Sequence, residues 1–170
     1  IYVMTQGFGE RPLTLKDLSI VAPASFPDTG GAGLFIESGT LENVNIESKN
    51  LGLQTALNVA GETEYTGGRI FGSGGGVIGE AVRTYGSEPG RLTIDGVDIA
   101  GAQVGIYLTD PDQPGLFRNG RVLGTGAAAS VQICGGDLKF KNSVVEAGST
   151  VGFTMGSAVS DVTHLDVINS

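Results

Sequence analysis

Apolar residues return along this chain in a fixed frame. An apolar position is followed five residues later by Ile or Val at Leu15/Ile20, Leu41/Ile46, Tyr65/Ile70, Ile94/Ile99, Phe117/Val122, Phe140/Val145 and Val162/Val167. Successive closing positions are separated by steps of 22–29 residues. Two residues further on stands a small or turn-forming residue: Ala22, Ser48, Gly72, Gly101, Gly124, Ala147 and Asn169. A second short segment then opens on Gly33, Ala56, Ala81, Gly105, Ser130 and Gly152. It carries two alternating columns, Leu34, Leu57, Val82, Ile106, Val131, Phe153 and Ile36, Val59, Thr84, Leu108, Ile133, Met155. Thr84 is the one break in that second apolar rule.

Alternation at period two predicts strands with these columns turned inward. Each strand is too short to bury a face alone. A repeat of this length buries its apolar side against its neighbours, with strands stacked in parallel about 4.8 Å apart. Antiparallel hairpins would need a recurring tight turn, and none recurs. A doubly wound α/β fold would need helical crossovers, and connections such as 72-GSGGG-76 are too glycine-rich for them. The prediction is an all-β parallel β-helix, a solenoid of about seven coils of roughly 22–29 residues, forming a single domain over residues 1–170.

Three segments carry a resemblance. The stretches 41-LENVNI-46, 117-FRNGRV-122 and 140-FKNSVV-145 resemble the strand–Asn–strand element of the right-handed, single-stranded parallel β-helices of the pectate-lyase-like superfamily. Phage tailspikes and tail fibres, polysaccharide lyases, polygalacturonases and uronate epimerases belong to it. The resemblance implies an internal ladder of mid-coil asparagines. The corresponding positions here are Asp17, Asn43, Gly67, Gly96, Asn119, Asn142 and His164, so the ladder is interrupted. The Asn-Thr-Asp, Asp-Asp and Gly-His-Gly elements of the polygalacturonases do not occur. No motif supports a lyase-type acidic cluster with a catalytic Arg or Lys.

Composition narrows the function classes. A net charge of −8 excludes the basic footprint of a nucleic-acid binder. No apolar run reaches the roughly 18–20 residues that span a bilayer as a helix, so no membrane insertion is expected. The single cysteine, Cys134, allows no intrachain disulfide. With 29 glycines and 40% hydrophobic residues, the chain fits a turn-rich packed fold and not a disordered one. Residues 1-IYVMT-5 match 106-IYLTD-110, and no capping helix is visible. The expectation is a fragment of a longer chain, uncapped at both ends and covered there by further chain or other subunits.

Three sets of residues carry candidate chemistry. The outward column of the second strand holds Tyr2, Phe35, Asn58, Arg83, Tyr107, Gln132 and Thr154. Aromatic faces stack on sugar rings, and amides and guanidinium bond hydroxyls or carboxylates, so the first six are the glycan-binding candidates. A plain solvated face and a subunit contact are the alternatives. The acidic set is Glu88, Asp110 and Asp112 in neighbouring loops, with Asp95 and Asp98 on the intervening strand. Asp95, Asp98, Asp110 and Asp112, with Arg118 and Arg121, are the catalytic candidates for acid–base work on a glycoside. Glu88, Asp110 and Asp112 are the candidates for Ca²⁺, the one cofactor considered. Against both, Asp and Pro in 110-DPDQP-114 are ordinary turn residues, Asp95 lies beside Arg118, and Asp98 lies between Arg69 and Arg121 as surface charge ladders do. The third set is the long connection 21–32 with Phe26, which either contacts a ligand or pins its own loop. His164 and Cys134 read as structural, and 73-SGGGVIGE-80 lacks the Lys-Ser/Thr of a phosphate loop.

The expectation is a structural or recognition segment of a virion spike or tail fibre, presenting a surface for host glycan or for subunit packing. A fragment of a polysaccharide lyase, glycoside hydrolase or uronate epimerase is the first alternative, and a bacterial adhesin or passenger segment the second. The expected partners are a polysaccharide or cell-surface glycan and copies of the chain, as a homotrimer, at an extracellular or virion surface.

Overall fold

The odd spacing of the apolar frame requires a break in strand phase. Faces alternate every residue, so two positions five apart fall on opposite sides of an uninterrupted strand. In the computed structural model the break is a left-handed residue in mid-strand. Asp17, Asn43, Asn119, Asn142 and Asn169 have φ between 50° and 54°, and Gly67 and Gly96 have φ of 65° and 66°. Asn, Asp and Gly are the residues that tolerate this conformation. Leu41 is buried, Glu42 and Asn43 both face outward, and Val44 and Ile46 are buried again. One left-handed corner thus lets both halves of the segment face one core. It also creates an inward column that the sequence frame omits, containing Leu18, Val44, Gly68 and Val97.

The structure describes residues 12–24, 32–50, 52–85, 90–109, 114–124, 130–146, 152–155 and 164–170. Taken in stacking order, the first group is β1 (Leu13–Lys16), β2 (Ser19–Ala22) and β3 (Ala32–Ile36). Above it lie β4 (Gly39–Ser48) with β5 (Leu53–Val59), then β6 (Thr63–Gly72) with β7 (Ile78–Thr84). Next come β8 (Leu92–Asp95) with β9 (Asp98–Leu108), then β10 (Gly115–Arg118), β11 (Arg121–Gly124) and β12 (Val131–Ile133). The last are β13 (Asp137–Lys141), β14 (Val144–Glu146), β15 (Phe153–Met155) and β16 (His164–Ile168). No helix occurs among the described residues, so none there is long and apolar enough to cross a membrane. Every strand pairing among them is parallel.

The corner divides the strands into three stacks. One runs before it (β1, β4, β6, β8, β10, β13, β16), one after it (β2, β4, β6, β9, β11, β14), and a third comprises β3, β5, β7, β9, β12 and β15. The chain is a parallel β-solenoid of about five turns. That is slightly fewer than the seven coils of the sequence frame.

The register agrees with the frame through six tiers and departs from it in the last. Leu15, Leu41, Tyr65, Ile94, Phe117 and Phe140 stack in one column, and Ile20, Ile46, Ile70, Ile99, Val122 and Val145 in another. In the last tier Phe140 pairs with Val167, not with Val162, and His164 pairs with Asp137. Asn169 therefore takes the corner and His164 does not. The column of small residues slips once as well. Gly101 forms a bulge at φ 75°, and Ala102 pairs with Gly124 in its place.

The corner ladder itself runs outside the solenoid, against the internal ladder that the resemblance implies. Asp17, Asn43, Asn119, Asn142 and Asn169 are exposed. Asn43 Nδ2 donates to Asp17 Oδ1 (2.9 Å), and Asn142 Nδ2 to Asn119 Oδ1 (3.5 Å). The interior is one continuous apolar cluster. Thr84, buried inside it, is there for its hydroxyl, which accepts from the Thr109 backbone N–H at 2.9 Å and caps the strand end.

Tyr65 is the largest polar residue of the core. It is fully buried, and its hydroxyl donates to the Val44 carbonyl at 2.6 Å. Burial raises its pKa well above the usual 10.0. An unfolded tyrosine ionises near pH 10 while the folded one keeps its proton, so the native state binds more protons there and stability falls as pH climbs past 10. Urea titrations of wild type and Tyr65→Phe between pH 8 and 11 check this. The wild type is expected to lose stability above pH 10 more steeply than the variant, which is expected to be about 1 kcal/mol weaker at pH 8 because the Val44 carbonyl loses its donor.

Candidate functional site

The outward column of the third stack is a continuous row. Phe35 pairs with Asn58, Asn58 with Arg83, Arg83 with Tyr107, Tyr107 with Gln132 and Gln132 with Thr154. Strand alternation alone turns them outward, because Leu34, Leu57, Val82, Ile106 and Val131 point into the core beside them. Phe35, Asn58, Arg83, Tyr107 and Gln132 are all half-buried, and the rungs repeat about every 4.8 Å. Tyr2, placed in this row by the sequence, lies outside the described residues.

The middle of the row is held by neighbours. The Arg83 guanidinium carbon lies 5.5 Å from the Tyr107 ring centroid, within cation–π range. Its Nη1 lies 3.4 Å from Glu80 Oε2, which also accepts from Thr55 Oγ1 at 3.0 Å. Gln132 Nε2 donates to Cys134 Sγ at 3.5 Å. The neighbouring Cys134 thiol, with partial burial as a lesser cause, raises the phenol pKa of Tyr107 above its usual value. Asn58 Oδ1 and Arg83 Nε are buried without a hydrogen-bond partner among the described residues. Sequence reasoning found the row but missed its supports. Glu80 stands three residues before Arg83, and Cys134 two residues after Gln132 on the same face of the strand.

No family model, curated protein or solved structure matches this chain. The site is therefore read from its own geometry.

The acidic candidates separate. Asp95 is fully engaged, with Oδ2 2.8 Å from Arg118 Nε and Oδ1 accepting from Asn119 Nδ2 at 2.8 Å. Asp95 and Arg118 thus brace the corner of the next tier. Asp98 lies in register between Arg69 and Arg121, yet neither guanidinium turns to it. Arg69 lies over the Phe71 ring, 4.4 Å from its centroid. Arg121 makes a two-pronged pair with Glu146, Nε to Oε1 at 3.2 Å and Nη2 to Oε2 at 3.3 Å. The expected charge ladder is thus broken at Asp98, which has no ion pair among the described residues. The left-handed Gly96 falls between Asp95 and Asp98, placing them in different stacks.

Glu88, Asp110, Asp112 and Phe26 lie outside the described residues. Among the described residues no group of three or more His, Cys, Asp or Glu is arranged to hold a metal ion. The start of the 21–32 connection is tied down, since Asn50 Nδ2 donates to the Pro23 carbonyl at 3.4 Å.

Proposed function

We propose that this chain is a recognition segment of a β-helical surface appendage, of the pectate-lyase-like kind found in phage tailspikes and tail fibres, and that it binds a linear glycan along the third-stack row. One observation supports this above others. Two aromatic rings, two amides and a guanidinium stand on consecutive rungs, and the central Arg83 is braced by Glu80 and lies within cation–π range of the Tyr107 ring. Bracing lowers the ordering cost of binding. Rings supply the faces for sugar stacking, and Asn58 and Gln132 supply hydroxyl partners. A homotrimer at a virion or other extracellular surface fits this reading.

A glycan array followed by titration of any hit tests it. Tyr107→Ala and Arg83→Ala are each expected to weaken binding about tenfold or more, equivalent to about 1.4 kcal/mol. Both positions face outward, so melting temperature should change little. Unchanged affinity in both variants would remove the row from recognition. The enzyme reading keeps one point in its favour, Asp98, which stands in register between Arg69 and Arg121 with no ion pair among the described residues. Oligosaccharide release from an acidic polysaccharide, abolished in Asp98→Asn, would favour it.

A further inference from the structure

The corner ladder has a gap. Five corners carry Asp or Asn, but the third and fourth are Gly67 and Gly96. A Cβ built on Gly67 would meet nothing nearer than the Asn43 backbone at 3.9 Å, and one on Gly96 nothing nearer than 4.0 Å. An asparagine would fit this backbone, since Asn43 and Asn119 adopt the same conformation one tier below Gly67 and one above Gly96. The glycines therefore leave open space that the repeat would otherwise fill.

The space at Gly67 belongs to an open groove of about 460 Å³ on the outer surface, and Gly67 forms part of its wall. The remaining walls are polar: Lys16, Asp17, Thr40, Glu42, Asn43, Glu64 and Thr66. Several are already committed. Lys16 Nζ lies 2.7 Å from Glu42 Oε2, and Asp17 Oδ1 accepts from Asn43. Glu64 has no ion pair among the described residues, and Thr40 stands opposite it on β4 with Thr66 two residues further along β6.

We propose that this groove is a second carbohydrate site, separate from the third-stack row, for a neutral or amino-sugar unit. The walls offer hydroxyls, an amide and carboxylates, the partners that sugar hydroxyls use, beside the methylene stem of Lys16 and the methyl groups of Thr40 and Thr66. Three carboxylates face one ammonium that Glu42 already neutralises, so an anionic sugar is repelled and a cationic one attracted. A bare metal ion fits less well, because these carboxylates do not converge as a coordinating group. Gly67 supplies the room, and Glu64, with no ion pair among the described residues, is the acceptor. The inference does not depend on the row.

The test is a titration followed by backbone amide shifts, using three tetrasaccharides: glucosamine (cationic), N-acetylglucosamine (neutral) and galacturonate (anionic). Wild type is expected to bind the first most tightly and the third least, with shifts centred on residues 16–17, 40–43 and 64–67. Gly67→Asn fills the gap with a residue its backbone accepts, and is expected to weaken binding at least tenfold with an unchanged melting temperature. Glu64→Gln, of nearly equal size, is expected to erase the preference for glucosamine over its N-acetylated form. Tyr107→Ala is expected to leave all three affinities at this groove unchanged, which separates this site from the row. The proposal is overturned if no tetrasaccharide shifts these residues, if galacturonate binds tightest, if a folded Gly67→Asn binds as wild type does, or if Glu64→Gln keeps the preference.

Discussion

Replacing Phe117 by alanine is expected to destabilise the solenoid by about 3–5 kcal/mol. Phe117 is fully buried, and its ring centroid lies 5.2 Å from that of Phe140, which lies 5.4 Å from that of Phe153. This aromatic cluster links β10 of one tier to β13 and β15 of the next. In a stacked repeat, stability is carried by contacts between nearest neighbours. Removing the Phe117 ring therefore weakens the hold of β13 and β15 on the tier below as well as emptying its own site. Urea unfolding of Phe117→Ala should show the loss, with hydrogen-exchange protection falling first in residues 137–146. Phe71→Ala is the comparison. That ring is half-buried on the outside beneath Arg69, so the same truncation should cost under about 1 kcal/mol.

Gly68→Ala is expected to be at least as damaging, although it adds a single methyl group. Gly68 has φ 88°, which costs a residue with a Cβ about 1–2 kcal/mol. The new Cβ would also run into the Val44 carbonyl of the tier below. That carbonyl is the acceptor for the Tyr65 hydroxyl, so the collision falls on the stacking contact and on a buried hydrogen bond together. Relief requires lifting β6 off β4, the most extensively paired strands among the described residues. The expected outcome is failure to accumulate as soluble folded protein. The neighbouring Gly67→Asn, with open space at its Cβ, should fold normally. Two adjacent glycines with opposite tolerance would show that the corner, and not glycine content as such, sets the requirement.

The legible part of this fold was the part that repeats. β-branched residues in a constant frame reveal stacked strands because parallel stacking places like residues above like, and Ile20 to Val145 obey this tier by tier. The odd step of five also encoded the corner, since it breaks strand parity, but the left-handed residue that restores parity leaves no apolar mark. The buried Val44 and Val97 column was therefore missed. The last tier was misread for a related reason. Val162 and Val167 imitate the frame, whereas the pairing of β16 is set by Asn169 reaching the corner. Gly101 escaped detection because a bulge changes register without changing composition.

The functional row was legible as positions, because alternation alone turns Phe35, Asn58, Arg83, Tyr107 and Gln132 outward. What those side chains do there was not. Register places Asp98 between two arginines, and rotamers decide that Arg69 takes an aromatic ring and Arg121 takes Glu146 instead. The Lys16–Thr66 groove was equally invisible, since it is opened by the lack of a side chain at Gly67.

The central claim is a parallel stack in a single register, from which every buried, exposed and ligand-facing assignment follows. Disulfide trapping tests it most directly, in a Cys134→Ser background. In this register Thr40 faces Glu64 and Asn45 faces Arg69, with a constant offset along β4 and β6. Their Cα atoms are about 4.8 Å apart, within the reach of a disulfide. Cysteines at Thr40 with Glu64, and separately at Asn45 with Arg69, should both cross-link rapidly under mild oxidation, while Thr40 with Thr66, about 8 Å apart on the diagonal, should not. An antiparallel or slipped arrangement can satisfy at most one of the first two pairs. Cross-linking of only one of them, or preferential trapping of Thr40 with Thr66, would contradict the account.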